Sequence, residues 1–213
     1  MSPEPAPELE LEVDSLAAGG DAVGRGEDGR VVFVPGAAPG ERVRVRLVEE
    51  HKQFARGALL QVITRSPDRV EPPCPLFRDR TCGGCAWQHV AYPAQAAAKQ
   101  ASLASALRRS IAGGMALDPI ATPVPPYHWR RRARFHWVRT AGSDAALVGL
   151  YAPRSRRVTQ VSACPQLEPA LEAALAPLVE RLGPGLEGRG EIELLLGDGG
   201  AIHVAVSGRC APA

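Results

Sequence analysis

The sequence predicts an α+β chain. A small closed β-barrel is expected over residues 8–66, followed by a mixed antiparallel sheet-and-helix domain over residues 67–213. Three observations point there. Short alternating segments, parted by glycine and proline turns, run up to residue 66. A proline-rich loop with three cysteines and no periodicity follows. Beyond it, stripes of helical spacing interleave with short apolar strands.

Residues 1–7 (MSPEPAP) read as a flexible tail. In 8–15, Leu9, Leu11 and Val13 alternate with acids, the pattern of a half-buried strand. Residues 17–30 read as glycine-rich turns, and Val31–Val34 as a strand ahead of the turn signals Pro35-Gly36 and Pro39-Gly40. In 42–48, Val43, Val45 and Leu47 face one way and Arg42, Arg44 and Arg46 the other; 57–63 is a further strand. The loop spans 67–92, and a helix is expected over 93–112. Pro93 suits its first turn, Leu103, Leu107 and Ile111 repeat every four residues, Arg108 and Arg109 sit in its last turn, and Gly113-Gly114 end it. Pro123, Pro125 and Pro126 mark a second loop. Strands are expected at 131–139, 146–151 and 157–162. Leu167, Leu171, Leu175, Leu178 and Leu182 mark a helix that Pro177 should kink or split and Gly183-Pro184 should stop. A hairpin, 191–196 with 201–206, turns through Asp198-Gly199-Gly200; Gly185, Gly188 and Gly190 are expected to precede it.

Hydrophobic residues make up 45% of the 213, which excludes a wholly disordered chain. The net charge of +2 is uninformative, but its distribution is not. Residues 1–28 hold eight acids against Arg25, and residues 130–157 hold eight arginines against Asp144, a density that suits phosphate. No apolar run of about 18 residues is present, and no secretory leader is recognisable at the acidic, proline-rich start. The expectation is a cytoplasmic protein with reduced thiols, in which cysteines suggest metal before disulfides.

Cys74, Cys82 and Cys85 stand in CPLFRDRTCGGC, a C-x7-C-x2-C pattern. A C-x2-C turn points two sulfurs the same way, and Gly83-Gly84 permit the tight backbone. Three thiolates leave a site one ligand short, and Cys164 in SACPQ can complete it. Spacing alone leaves two alternatives open: an iron–sulfur cluster, or zinc held by Cys74, Cys82, Cys85 and His89 as in Cys3His fingers. Cys210 has no partner pattern and reads as incidental.

The run PDRVEPPCPLFRDRTCGGCAWQHVAYPAQAAAKQ resembles the cluster-binding segment of the 23S ribosomal RNA and tRNA uracil-5-methyltransferases. Upstream, GRGEDGRVVFVPGAAPGERVRVRL resembles their TRAM domain, a small OB-like RNA-binding barrel. Downstream, YHWRRRARFHW and VGLYAPRSRRVTQVSACPQL resemble the strands that lead to the family's fourth cysteine. The resemblance covers residues 8 to about 175. It departs in a longer first cysteine gap, in Trp129-Arg130-Arg131-Arg132 for the usual Tyr-Arg-Asn-Lys, and in Arg156 where histidine is frequent.

The resemblance implies a [4Fe-4S] cluster on Cys74, Cys82, Cys85 and Cys164, RNA (ribosomal RNA or tRNA) as partner, and S-adenosylmethionine as methyl donor of the full-length enzyme. In that chemistry a cysteine thiolate adds to C6 of uracil, C5 takes the methyl group and a base removes the C5 proton. The family holds these groups in a C-terminal Rossmann-like domain. Gly20-x3-Gly24-x-Gly26 precedes a strand and reads as a barrel turn, and no catalytic residue is recognisable in the 213. The expectation is therefore a truncated, split or fragmentary member without the catalytic domain, inactive alone, acting with a separate catalytic chain or as a remnant. Arg42, Arg44, Arg46, Lys52, Phe54 and Arg56 in the barrel, and Arg130, Arg131, Arg132 and Arg134 beyond it, are the expected RNA contacts. A stand-alone zinc-dependent RNA-binding module and a metal-free protein adaptor are the competing functions.

Overall fold

Alternation along the first sixty residues sends one set of side chains inward. In the computed structural model, which describes residues 6–108, 117–122 and 125–210, this set closes a five-stranded barrel. Its strands are β1 (Glu8–Leu16), β2 (Ala22–Arg25), β3 (Val31–Val34), β4 (Arg42–Glu50) and β5 (Phe54–Thr64). They run in the order β1-β2-β3-β5-β4, antiparallel except for the β3–β5 pair. Leu11, Val13, Val32, Val34, Val43, Val45 and Ala55 fill it, each apolar side chain contributing up to about 1.5–3 kcal/mol on burial.

The segment 17–30 is not all turn, because β2 lies within it. Four residues bounded by glycines are too short to show periodicity. Gly24 of β2 pairs with Val13 where β1 changes register. A Cβ there would lie 2.3 Å from the Glu12 carbonyl oxygen, so close strand contact explains this glycine. Pro7, assigned to the tail, accepts a hydrogen bond from the Leu47 N–H at 2.9 Å; residues 1–5 lie outside the described residues.

The described residues of Met1–Glu71 and Ala86–Thr122 make one unit, and those of Pro72–Cys85 and Pro123–Ala213 make another. These do not follow a boundary at residues 66/67. The physical reason is pairing: Val70 donates to the His89 carbonyl (3.0 Å) and Ala91 to that of Asp68 (2.8 Å), returning the chain to the barrel unit. The helix over 92–107 therefore belongs with the barrel. Its partly buried residues against the barrel core are Ala94 and Ala98, while Leu103 of the expected apolar stripe is exposed. Small side chains allow the close approach, a signal that leucine spacing does not carry. Arg109, Ile111 and Gly113-Gly114 of the expected helix end lie outside the described residues, as does Pro123 of the second loop.

In the second unit, α1 (Pro75–Arg78) is one short turn within the cysteine loop; the helix just described is α2 (Tyr92–Leu107). A five-stranded antiparallel sheet follows, built from β6 (Arg132–Val138), β7 (Leu147–Tyr151), β8 (Val158–Gln160), β9 (Leu186–Leu196) and β10 (Ile202–Cys210), in the order β10-β9-β6-β7-β8. Leu171 and Leu175 of α3 (Pro169–Leu182) are buried in one core with Phe135, Trp137, Ile192 and Leu194. Pro177 does not split α3; it sits on the exposed side, where water can reach the carbonyl it leaves unpaired. A 3-10 turn, Gly183–Gly185, ends the helix. Gly188 and Gly190 lie inside β9 rather than before it. Gly190 is there because the Trp137 ring lies on it: a Cβ would meet the ring at 2.2 Å.

Candidate functional site

Cys74, Cys82, Cys85 and Cys164 all belong to the second unit. Cys74 is buried at the start of α1. The loop then folds on itself, the N–H groups of Thr81 and Cys82 both donating to the Leu76 carbonyl, at 3.0 and 3.2 Å. Gly83 donates to the Tyr151 carbonyl at 2.9 Å, and the Thr159 hydroxyl donates to the Thr81 carbonyl at 2.6 Å. Two bonds thus dock the C-x2-C turn on β7 and β8. Gly84 donates its N–H to the Cys82 sulfur at 3.4 Å.

Two of the four thiols are shifted by their surroundings. Burial pushes the Cys82 thiol up; Cys85 and Cys74 push it further, against the opposing Gly84 N–H. Burial also raises Cys164, with Cys85, Cys74 and Cys82 adding and a Gln166 backbone hydrogen bond opposing. Tyr127 is raised by burial and then by Cys85 and Cys74, which puts it beside the same group. Among the described residues, no set of three or more His, Cys, Asp or Glu side chains is arranged to hold a metal ion. Cys210 is exposed on β10.

His89 belongs to the other unit. Its ring is buried in the barrel unit, where Nε2 is 2.9 Å from the Ala37 carbonyl oxygen. Spacing in sequence could not show this, since Ala37 is distant along the chain.

The three non-glycine residues with positive φ among those described, Arg80, His128 and Arg154 (54°, 59° and 52°), lie on loops of the second unit. Such backbone is costly and concentrates at functional sites.

The expected RNA contacts separate into three groups. Arg42, Arg44 and Arg46 do form an exposed row on one face of β4. They stand opposite an acidic row on β1, in register Glu12↔Arg42, Glu10↔Arg44 and Glu8↔Arg46. Arg42 and Arg44 pair with Glu10 at 3.0 Å each, and Arg46 with Glu8 at 2.7 Å; hydrogen bonding from Arg44 chiefly holds the Glu10 carboxyl below its ordinary range, against a smaller opposing effect of burial. The row is therefore balanced, not bare. The alternation of acids in 8–12 was the available signal.

Arg56 bridges Asp21 (2.9 Å) and Glu49 (3.3 Å) and sits over the rings of Phe33 and Phe54. Phe54 also stacks on His51, with centroids 4.3 Å apart. Lys52 lies exposed beside this rim. In the second unit, Arg131 pairs with Asp198 at 3.0 Å, Arg132 with Glu193, and Arg134 with Glu191 at 3.6 Å. Arg130 stacks on Trp129, its guanidinium carbon 5.2 Å from the ring centroid. Trp129, absent from the expected contacts, is exposed.

Residues 7–60 match the TRAM domain model. Over 202 residues the chain is 37% identical to the 23S rRNA (uracil(1939)-C(5))-methyltransferase RlmD of Pectobacterium atrosepticum. The chain carries a TRAM domain and is homologous to RNA (uracil-5-)-methyltransferases. The RlmD match covers 94% of this chain and 44% of the relative. An uncharacterized RNA methyltransferase of Gloeobacter violaceus is 39% identical over 169 residues, covering 76% of this chain and 36% of that one. The chain thus spans less than half the length of these methyltransferase relatives. Each carries the matched region and the methyltransferase name on one polypeptide, so the expected separate catalytic chain finds no support in them. The fold is shared with the Pyrococcus abyssi tRNA (uracil-54, C5)-methyltransferase, crystallised with S-adenosyl-L-homocysteine, at a TM-score of 0.60 and 19% identity, over 92% of this chain and 45% of that one. Among the described residues, no helix is long and apolar enough to cross a membrane.

Proposed function

We propose that residues 1–213 are the RNA-binding, [4Fe-4S]-carrying region of a uridine C5-methyltransferase that uses S-adenosylmethionine and acts on ribosomal RNA. The observation that carries the reading is the presence of four thiols in one unit, with the C-x2-C turn docked on β7 through the Gly83 N–H and on β8 through the Thr159 hydroxyl. Cys74, Cys82, Cys85 and Cys164 would hold the group, and four soft thiolates match the ligand set of a [4Fe-4S] cluster. Burial and neighbouring thiols raise Cys82 and Cys164, and a bound cation would turn such thiols into thiolates. When bound, the cluster supplies a crosslink. Cys164 closes a long loop from Cys85, a closure that is entropically unfavourable for the chain alone.

RNA binding rests on the TRAM domain, on the arginine density of 130–157, and on the name of the RlmD relative. Exposed ion pairs such as those of Arg42, Arg44 and Arg46 contribute little to stability. Phosphate can therefore displace Glu8 and Glu10 from the row. The test is fluorescence anisotropy of the 213-residue protein with a labelled 23S rRNA fragment across a salt series. If about five phosphates are neutralised, log affinity falls with log salt at about −0.7 per contact. Affinity independent of salt would overturn the RNA reading.

A further inference from the structure

We propose that Trp129 is a stacking platform for an unpaired RNA base, with Arg130 taking the neighbouring phosphate. This rests on the RNA-binding reading above and names the residues that would favour single-stranded over paired RNA.

The three tryptophans of the chain differ in what holds them. Trp137 is 1% exposed beneath the sheet. Trp87 donates its Nε1–H to the Gly20 carbonyl at 2.9 Å. Trp129 is 46% exposed although one ring face lies under Arg130. Tryptophan is enriched at interfaces, because its ring offers a large apolar face beside a polar N–H.

The backbone on either side of that ring is fixed. His128 donates its N–H to the Pro165 carbonyl at 2.8 Å, and Arg130 donates to that of Gln166 at 2.9 Å. Glu168 returns a bond to the Arg130 carbonyl at 3.0 Å. His128, just before the ring, holds φ at 59°, with its Nδ1 3.3 Å from the Leu167 carbonyl oxygen. A strained, doubly clamped loop thus presents a ring that itself makes no core contact. Binding there loses little ordering entropy, because the loop is already in place.

Charge selects the occupant. Arg131, Arg132 and Arg134 each pair with a carboxylate. Among the described residues, no carboxylate pairs with Arg130. A guanidinium without an acid, stacked on an exposed indole, offers a cation for a phosphate and a π-face for a base. A duplex hides its base faces, so the platform fits an unpaired nucleotide.

The test titrates the 213-residue protein with a single-stranded RNA of mixed sequence, and with the same RNA annealed to its complement, following tryptophan fluorescence and anisotropy together. Single-stranded RNA should quench the fluorescence more strongly than the duplex does. Trp129→Ala should weaken single-strand affinity about 5- to 150-fold, the range for one stacked base. Trp129→Phe should restore most of the affinity while losing the quenching. Arg130→Ala should reduce the salt slope by about 0.7. Wild-type affinity in Trp129→Ala, with RNA still bound, would overturn the platform and leave the RNA reading standing. A wild-type protein that binds neither RNA would overturn both.

Discussion

The Glu41 carboxylate, fully enclosed in the barrel unit, is held by the Arg69 guanidinium, whose Nη2 donates to Oε2 at 2.8 Å. The same carboxylate accepts the Ala38 N–H at 2.8 Å, and Arg69 also donates to the Gly36 carbonyl at 2.8 Å. One buried pair thus ties the turn before β4 to the segment after β5. Burial pushes the Glu41 carboxyl up, but Arg69 and the Ala38 and Ser66 N–H groups outweigh it, and the net pKa lies below the ordinary value. A carboxyl with a depressed folded pKa stabilises fully above its unfolded pKa, and that stability is lost as pH falls through the folded pKa. Glu41→Gln should cost about 3–5 kcal/mol at neutral pH by leaving Arg69 uncompensated. It should also flatten the acid limb below about pH 4.5, as read by urea melts of the barrel at several pH values. An unchanged acid limb would contradict this role.

Gly190 and Trp137 give a second prediction. The ring lies where a Cβ on Gly190 would be, and the Ser207 carbonyl oxygen is equally close at 2.2 Å. Gly190→Ala should destabilise the second unit by about 1–3 kcal/mol or more through overpacking. Gly199→Ala, with nothing within 4 Å of the added carbon, should stay within about 0.5 kcal/mol. Thermal melts of the two variants check the contrast.

Gly83 gives a third. A Cβ there would lie 3.0 Å from backbone atoms of Pro153 and Tyr151, which cannot rotate away. Gly83→Ala should lift the C-x2-C turn off β7 and make Cys82 and Cys85 react faster with a thiol reagent in apoprotein. Gly29→Ala, with open space around it but a positive φ of 77°, should strain a barrel turn and leave the thiol rates alone.

Cys164→Ser gives the fourth. If the cluster is a crosslink, its loss should lower amide protection across Pro72–Cys85 and the β7–β8 region more than across the barrel strands. Hydrogen exchange followed by mass spectrometry reads both regions in one experiment. Equal loss in both would count against a crosslink confined to the second unit.

Much of this was legible because period-two alternation shows directly which side of a strand is buried. Leu11, Val13, Val43 and Val45 were assigned inward from spacing alone and line the barrel core. The three cysteines of the proline-rich loop stood out by spacing, and the structure places them in one unit with Cys164. What spacing could not show were relations between distant segments. The Arg44–Glu10 pair joins residues 34 apart in sequence, and the His89–Ala37 bond joins residues 52 apart. β2 escaped because four residues carry no period; the helix α2 was legible, but not its packing face, which uses Ala94 and Ala98 instead of the leucines. In the sequence Trp129 was only a departure from the usual Tyr-Arg-Asn-Lys; its exposure beside Arg130 separates it from its neighbours.

The most direct test of the central claim is the visible absorption spectrum of protein purified without oxygen, with iron, sulfide and zinc assayed on the same sample. The account predicts a brown protein with a broad visible band and about four irons and four sulfides per chain, lost together in Cys164→Ser. A colourless protein carrying one zinc, or no metal at all after purification and reconstitution with iron and sulfide, would contradict it.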